Sequence, residues 1–502
     1  MRVVNLRIAL FLAVFAVAVP LCADHFTADC PLTLAAGTPA NTAANFDLSP
    51  HGVFRMGSQV YVLRGGVVST YTATDLGDLQ LARADDSLTS LAGRESNGGV
   101  AFGAGFLYLS SEAGLEIFDL RNVRAGGTAP LLVSRTPGLH YRRLAVNGNV
   151  LAALYPATDY PCTVNGTFSC YNQIDLYNVA NLAAPVRVGT ITSLNSQIIG
   201  FNDIAFNQGF LLATGIGGTV AYNVNNPASP IGFAFDFTTP GTFLISNGTL
   251  AAVGNDGAIL TYIISPNSVL RPFFFPVTLH TLPSLTVDRA NPIAFHHQGW
   301  IDDQAGRLIT LIDEINPQTL KPARTIAFDV FDYSAPMFEG TDQRLYEYVS
   351  YTQSDEVKHN PTAVGPMIYV VGDTAGVQEY GACGQIAGKI EWDGSSALFC
   401  GGAELHGWVT GDQKISNVEI FIDSTSLGTA LMTGPSRTDI PSRTPVQPWQ
   451  VKVNLDNTTK GEHFVRAVGT DVNGNRRQFA SVRVFFNGPG QNCTTRRRSS
   501  GK

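Results

Sequence analysis

The stretch NDIAFNQGFLLAT, residues 202–214, contains two short apolar runs separated by a turn with Asn and Gly. Two apolar runs joined by such a turn predict a β-hairpin. Similar phrases begin at His51, Gly98, Arg142, Asn202, Gly241, His297 and His359. Each is followed by a third run centred on an aromatic residue: Tyr71, Phe118, Tyr177, Tyr222, Tyr262, Phe328 and Tyr380. A strand-rich unit repeated in this way predicts an all-β fold, a seven-bladed β-propeller.

A second domain is expected because a chain of 502 residues exceeds what one hydrophobic core usually supports. The repeat stops within DGSSALFCGGA, residues 393–403. Alternating strand patterns joined by turn residues follow, and they predict a small immunoglobulin-like β-sandwich with Trp408 and Trp449 in its core. The predicted boundaries are 24–398 for the propeller, 403–488 for the sandwich and 489–502 for a flexible basic tail. We also expect the segment Cys30–Leu48 to supply an outer strand or a plug where the propeller ring closes.

The first 23 residues are typical of a secretory signal peptide. Arg2 and Arg7 are followed by the apolar stretch Ile8–Leu21 and then by small residues before Asp24. The alternatives are a transmembrane anchor, which needs about 20 apolar residues, and a lipid attached to Cys22. We expect a secreted protein, extracellular or on a bacterial cell surface or in the periplasm, with no membrane span after cleavage.

One of the seven cysteines lies in the predicted signal peptide, so six remain in an oxidising compartment. An even number of cysteines in a secreted protein favours disulfide bonds. Cys162 and Cys170 flank a short insertion in the third repeat, which makes this pair the first choice. The expected pairs are Cys162–Cys170, Cys383–Cys400 and Cys30–Cys493. None of these cysteines has the spacing of a structural zinc site.

Charge and motifs exclude several functions. The net charge is −7, and the one basic run, Arg496–Arg498, lies in the terminal tail, which argues against nucleic-acid binding. No GxSxG elbow, Walker loop, HExxH pair or dinucleotide fingerprint stands in a suitable context. The sequence therefore contains no recognised catalytic motif.

Two resemblances are visible in the repeats. The segments GLEIFDLRN from Gly114, QIDLYNVANLAAPVRVGT from Gln173 and VAYNVNNPASPIG from Val220 resemble bacterial LVIVP repeats. The segments that begin at His297 and His359 resemble the choice-of-anchor B family of secreted propellers of this type. Residues 406–486 are similar to the immunoglobulin-like modules of bacterial surface proteins. These resemblances imply a secreted bacterial propeller with an appended module.

Polar residues precede the first strand of most repeats, and in a propeller these positions converge at the mouth of the central channel. The candidate ligand-binding residues are His51, Arg142, Asp203, His297 and His359. Repeats six, seven and one become neighbours when a ring closes, so His297, His359 and His51 could together hold a zinc ion. The alternative is that these side chains only bind water and carbonyl groups at the strand ends.

Other acidic residues are expected to have structural roles. Asp302 and Asp303 lie in a predicted turn, Asp313 and Glu314 point to opposite faces of a strand, and DVNGN from Asp471 reads as a turn. We therefore expect a non-enzymatic, monomeric binding protein without a cofactor, whose partner is an extracellular protein or glycan. The alternatives are a secreted metal-assisted hydrolase, with a divalent metal ion at the channel mouth, and a purely structural surface protein.

Overall fold

The computed structural model describes part of the chain. The described residues are 33–37, 52–64, 66–76, 79–88, 99–111, 113–137, 140–155, 173–192, 200–207, 209–215, 218–236, 241, 243–246, 250–254, 258–263, 275–281, 293–302, 305–315, 322–332, 347–350, 358–364, 367–372, 376–381, 386–391, 398–399, 402–423, 425–440, 442, 444–454, 458 and 460–486. The predicted signal peptide, the basic tail and all six cysteines of the predicted disulfides lie outside them. Those predictions therefore remain untested.

The described residues form strands and turns and no helix, which confirms the all-β prediction. The first 28 strands are β1 (Thr33–Gly37), β2 (Gly52–Met56), β3 (Gln59–Arg64), β4 (Val67–Ala73), β5 (Leu79–Ser87), β6 (Val100–Gly103), β7 (Phe106–Ser111), β8 (Gly114–Asp119), β9 (Leu131–Thr136), β10 (Arg143–Asn147), β11 (Val150–Tyr155), β12 (Gln173–Asn178), β13 (Val186–Thr192), β14 (Phe201–Asn207), β15 (Phe210–Gly215), β16 (Gly218–Asn223), β17 (Ile231–Asp236), β18 (Phe243–Ser246), β19 (Leu250–Gly254), β20 (Ala258–Ile263), β21 (Phe275–Thr281), β22 (Ile293–Asp302), β23 (Arg307–Ile315), β24 (Pro322–Asp332), β25 (Glu347–Ser350), β26 (Lys358–Val364), β27 (Met367–Gly372) and β28 (Gly376–Gly381).

Within the described ranges these strands form seven four-stranded antiparallel sheets. Sheets 1 to 6 each use four consecutive strands, from β2–β5 in sheet 1 to β22–β25 in sheet 6. Sheet 7 has the order β26-β27-β28-β1, so its outer strand comes from the beginning of the chain. The outer strand expected within Cys30–Leu48 is thus Thr33–Gly37, paired antiparallel with β28.

Successive sheets pack face to face through apolar side chains. Tyr61 and Leu63 of sheet 1 share a buried cluster with Leu107 and Leu109 of sheet 2, and similar clusters join sheet 2 to sheet 3 and sheet 3 to sheet 4. Sheet 6 packs on sheet 7, and Tyr369 of sheet 7 packs among apolar residues of sheet 1. Burial of one such side chain contributes about 1.5–3 kcal/mol to the free energy of folding. These clusters therefore stabilise the packing of each sheet on the next.

The first strand of each sheet lies beside the first strand of the next. Contacts link β6, β10, β14, β18, β22, β26 and β2 in that order. The circle is completed by β2 and β6, because the rings of Phe54 and Phe102 stack with their centroids 5.6 Å apart. Residues at corresponding positions of the seven first strands are therefore neighbours around a common centre.

The C-terminal part forms two more sheets. Their strands are β29 (Ile386–Glu391), β30 (Leu398–Phe399), β31 (Gly402–Gly411), β32 (Ile415–Ile422), β33 (Thr425–Thr429), β34 (Leu431–Met432), β35 (Gln447–Asn454), β36 (Gly461–Asp471) and β37 (Arg476–Phe486). Sheet 8 has the order β29-β31-β35-β34 and sheet 9 the order β30-β37-β36-β32-β33. One apolar core lies between them and contains Trp449 and Phe479. Both Trp449 and Trp408 are buried, as predicted.

The boundary between sheets 7 and 8 falls before β29, a strand within the range 24–398 predicted for the propeller. Strand β29 pairs with β31 along its whole length, which places Ile386–Glu391 in sheet 8. An ion pair between Lys389 and Asp75 joins this strand to the loop after β4, with Nζ and Oδ1 3.1 Å apart. Local sequence does not mark this boundary, because β29 carries the same apolar strand pattern as the repeats before it.

None of the described residues belongs to a helix long and apolar enough to cross a membrane.

Candidate ligand-binding site

The candidate residues share one position relative to the first hairpin of their sheets. Arg142, His297 and His359 each lie five residues before the last residue of the first strand, β10, β22 or β26. His51 has the same spacing from the end of β2, although His51 itself lies outside the described residues. Asp203 is one residue further along β14. Since the first strands are neighbours, this register places Arg142, His297 and His359 at the same end of the circle.

Three of these first strands are irregular at the candidate position. The pairing register shifts between Phe201 and Asp203 in β14, and between His296 and Gln298 in β22. In β26 it shifts between His359 and Thr362. A β-bulge interrupts the hydrogen-bond ladder and redirects the side chains around it, and bulges are common beside binding sites. The bulges in β22 and β26 lie on neighbouring strands.

The carboxylate of Asp203 makes polar contacts with three other residues of the protein. Its Oδ1 atom accepts a hydrogen bond from the backbone N–H of Ile204 at 2.9 Å and lies 3.2 Å from Nε of Arg143. Its Oδ2 atom accepts a hydrogen bond from the backbone N–H of Leu244 at 2.9 Å. Asp203 therefore links the first strands of sheets 3, 4 and 5, and its carboxylate acts chiefly as a structural tie.

The neighbouring residue Asn202 has a similar role. Its Nδ2 atom donates a hydrogen bond to the carbonyl oxygen of Gly241, in front of β18, at 2.7 Å. The bulge directs Asn202 toward sheet 5, while the adjacent Asp203 contacts sheets 3 and 5. A bulge thus gives two successive residues access to neighbouring strands, which a regular strand would not allow.

Arg142 is buried, with 6% of its surface exposed, and its backbone N–H donates to the carbonyl oxygen of Leu154 at 2.8 Å. The residue before it, Tyr141, is fixed through its backbone and its side chain. Its N–H donates to Oγ of Ser110 and its carbonyl oxygen accepts from the N–H of Gly99, both at 2.7 Å. These bonds tie the beginning of β10 to sheet 2 and fix the backbone that carries Arg142.

A polar cluster centred on Asp175, inside sheet 3, was not anticipated from the sequence. The buried carboxylate of Asp175 accepts hydrogen bonds from four side chains: Tyr141 Oη at 2.7 Å, Thr190 Oγ1 at 3.0 Å, Gln173 Nε2 at 3.1 Å and Arg187 Nη1 at 3.4 Å. Because a carboxylate only accepts, Tyr141 donates to it and receives a hydrogen bond from Tyr177, whose hydroxyl is 2.7 Å away. Burial, followed by the bonds to Tyr177 and Asp175, raises the pKa of Tyr141.

The preceding sheet repeats part of this arrangement. Glu116 occupies the third position of β8, as Asp175 does in β12, and its side chain is fully buried. It accepts hydrogen bonds from Arg135 Nε at 2.7 Å and Ser111 Oγ at 3.3 Å. Both acids are paired with half-exposed arginines of the fourth strand, so a structural role accounts for them. Sequence alone could suggest such a pair only from an acid and an arginine on successive strands.

Three acidic residues that were interpreted as structural are described, and each forms an ion pair or accepts hydrogen bonds within the protein. Asp302 pairs with Arg307 across the first hairpin of sheet 6, with Oδ2 and Nη2 2.7 Å apart. Asp313 accepts a hydrogen bond from Oγ1 of Thr325 at 2.7 Å. Asp471 accepts from the backbone N–H groups of Asn473 and Asn475, which confirms a turn between β36 and β37.

No group of three or more metal-ligating side chains occurs within the residues that the structure describes. His51 and the imidazole groups of His297 and His359 are not covered by that statement. The proposed zinc arrangement therefore stays a hypothesis.

Comparison with known proteins gives no family. No family profile matches the chain, and neither does any curated protein. Similar solved structures include BamB from Moraxella catarrhalis, with 12% identity and a TM-score of 0.37 over 70% of this chain and 99% of that one. Hsv2 from Kluyveromyces lactis has 10% identity and a TM-score of 0.40 over 69% and 95%. The designed protein Ika8 has 9% identity and a TM-score of 0.38 over 67% and 98%. At these scores the likeness supports no conclusion about function.

Proposed function

We propose that the protein is a secreted, non-enzymatic binding protein. In this proposal the seven four-stranded sheets are the blades of a closed β-propeller of the LVIVP and choice-of-anchor B type. Sheets 8 and 9 form an immunoglobulin-like module that acts as a spacer or a second contact surface. The end of the channel where the first strands begin binds an extracellular protein or glycan. The order of the strands and the packing of sheet 7 on sheet 1 support a closed ring.

The binding proposal rests on the shared position of the candidate residues relative to the ends of their first strands. Polar residues occupy one position on several neighbouring first strands, and the ladder is interrupted there in sheets 4, 6 and 7. Sheet 4 uses its bulge to tie sheets 3 and 5 together, as Asn202 and Asp203 demonstrate. His297 and His359 belong to the other two bulges, so we assign the ligand contact to sheets 6 and 7. Rigid strands that present side chains to one opening suit recognition of a partner.

The hydrogen bonds that two carboxylates accept from the protein favour a binding function over acid–base catalysis. Asp203 and Asp175 both accept several hydrogen bonds from protein groups, and a catalytic carboxylate has to reach its substrate. A metal-assisted hydrolase remains the second candidate. It would use neutral imidazole groups of His51, His297 and His359 as ligands, which is a donor set that zinc accepts.

The double substitution His297→Ala/His359→Ala tests the binding site. The wild-type protein would be screened against purified extracellular proteins and bacterial surface glycans, and its strongest binder used for measurement. The double variant should lose at least tenfold in affinity, and its free energy of unfolding should change by about 1 kcal/mol or less. Arg124→Ala, an exposed change in the loop after β8 at the other end of the sheets, is the matched control. Undiminished binding by the folded double variant would move the functional surface to the C-terminal module.

Metal analysis of the purified mature protein separates the two candidates. The binding proposal expects partner binding that survives removal of divalent ions by a chelator. Stoichiometric zinc that disappears in His297→Ala/His359→Ala, together with hydrolysis that follows the zinc content, would favour the hydrolase instead.

A further inference from the structure

The outer strands of sheets 1 to 4 share a β-bulge at one position. In each of these sheets the aromatic residue of the third strand pairs with one residue of the outer strand. The third-strand residue just before it pairs with the outer-strand residue two positions later in the sequence. The four aromatic pairings are Tyr71–Leu81, Phe118–Leu132, Tyr177–Arg187 and Tyr222–Gly232. The preceding residues pair as Thr70–Arg83, Ile117–Ser134, Leu176–Gly189 and Ala221–Ala234. At this position one outer-strand residue is thus left unpaired in each of the four sheets.

Strand β1 follows the same rule, although it comes from the other end of the chain. Tyr380 pairs with Leu34, and Glu379 pairs with Ala36, so Ala35 is the unpaired residue. The edge of β28 therefore accepts a strand in the register that outer strands use in sheets 1 to 4. Because a shift by one residue would turn every side chain to the opposite face, this match indicates a specific site for a strand.

We propose that the edge of β28 is a strand-acceptor site that β1 of a second copy of this chain can also fill, giving a strand-exchanged dimer. Among the described residues β1 pairs only with β28, and the chain continues from β1 through residues 38–51 to sheet 1. A segment of about fourteen residues can span at most about 45 Å, which limits how far β1 can lie from sheet 1. The sequence TLAAG has neither charge nor proline, so it lacks two of the features that keep edge strands from pairing with other chains.

Concentration decides between the two pairings. Pairing of β1 with β28 of its own chain is intramolecular, and the effective concentration for such pairing is of the order of millimolar, so it prevails in dilute solution. Exchange adds no new type of contact, and such swaps are a low-cost route to dimers. The dimer should therefore accumulate when the protein refolds at high concentration.

Two chains with one added cysteine each test the exchange. Gly37→Cys and Gln378→Cys place thiols at paired positions of β1 and β28. After the two chains are refolded together at high concentration, peptide mapping should find a disulfide between residue 37 of one chain and residue 378 of the other. Val186→Cys, on the exposed outer strand of sheet 3, is the control for random oxidation. Absence of the 37–378 link, or an equal yield with residue 186, would overturn the proposal.

A second measurement does not depend on added thiols. Leu34→Pro/Ala36→Pro removes backbone donors from β1, which should free the edge of β28 in the otherwise complete chain. A labelled peptide of residues 24–48 with Cys30→Ser should bind this variant when it is folded and should bind wild type at least tenfold more weakly. Equal binding of a peptide that carries the same two prolines would contradict a strand-acceptor site.

Discussion

At the scale of single residues, Asn202 and Asp203, near the beginning of β14, bond to neighbouring sheets. The sequence predicted the position of Asp203 but not its partners, because Arg143 and Leu244 lie on other repeats. The partners of Asp175 lie within its own repeat but on different strands, so its cluster depends on the pairing register of those strands, which the sequence does not show. Which polar residues are engaged by the protein follows from contacts between distant segments, and no local pattern records those contacts.

Tyr141→Phe tests the Asp175 cluster. The substitution keeps the ring, which packs edge-on against Tyr177 and Tyr155, but removes the hydroxyl that bonds Asp175. We expect a loss of about 1–3 kcal/mol in the free energy of unfolding, because a buried carboxylate loses a donor. The urea midpoint followed by circular dichroism measures this loss. Tyr155→Phe, whose hydroxyl has no hydrogen bond among the described residues, should change the midpoint far less; equal effects would contradict a role for the cluster.

Asp119→Asn tests a pH-dependent contribution in the turn after β8. Hydrogen bonds from the Arg121 side chain lower the pKa of Asp119. A carboxyl group with a lowered folded-state pKa adds stability above its unfolded pKa of about 3.9, and that stability is lost as pH falls through the folded value. The variant should keep the turn, because Asn178 and Asn223 make the same bond to the N–H two residues ahead.

The measurement is the melting temperature of both proteins between pH 2 and pH 7. Wild type should have a slightly higher melting temperature than Asp119→Asn above pH 4, and the difference should be small because the arginine of the ion pair is exposed to solvent. The difference should vanish at the acidic end. A difference that stays constant across this range would contradict the assignment.

At the scale of elements, turn chemistry and apolar alternation predicted the hairpins well. Gly148 and Gly209 have φ angles of 55° and 86° in the turns of the first hairpins of sheets 3 and 4, where a residue with a side chain would be strained. The bulges, the early start of sheet 8 and the pairing of β1 with β28 were harder to predict in detail. They depend on register between strands, and the sequence of one strand does not specify its partner.

Gly189→Ala tests the close packing of sheet 3 on sheet 4. A methyl group at Gly189 of β13 would overlap the carbonyl oxygen of Pro227 in the loop after β16. Because backbone atoms cannot move aside as a side chain end can, we expect a loss of about 1–3 kcal/mol in stability. Val186→Ala, at the exposed start of the same strand, should stay within about 0.5 kcal/mol in the same urea titration. Equal midpoints for the two variants would show that the sheets can separate without cost.

At the scale of the whole molecule, strands from the two distant ends of the repeat region meet in one sheet. Sheet 7 takes three strands from residues 358–381 and its fourth from Thr33–Gly37. A sheet shared in this way couples the beginning of the chain to the last repeat, so the ring should unfold as one unit. The sequence indicated the number of repeats and an outer strand near Cys30–Leu48, whereas the charged contact between sheet 8 and sheet 1 was not foreseeable.

A crystal or cryo-electron-microscopy structure of the whole chain would test the closed ring of seven four-stranded sheets. A crystal or cryo-electron-microscopy map that traces every strand should contain seven such sheets, with Thr33–Gly37 on the edge of β28 and β26 beside β2. A ring of six or eight sheets, an open gap between β26 and β2, or a seventh sheet completed by residues after Gly381 would contradict the account.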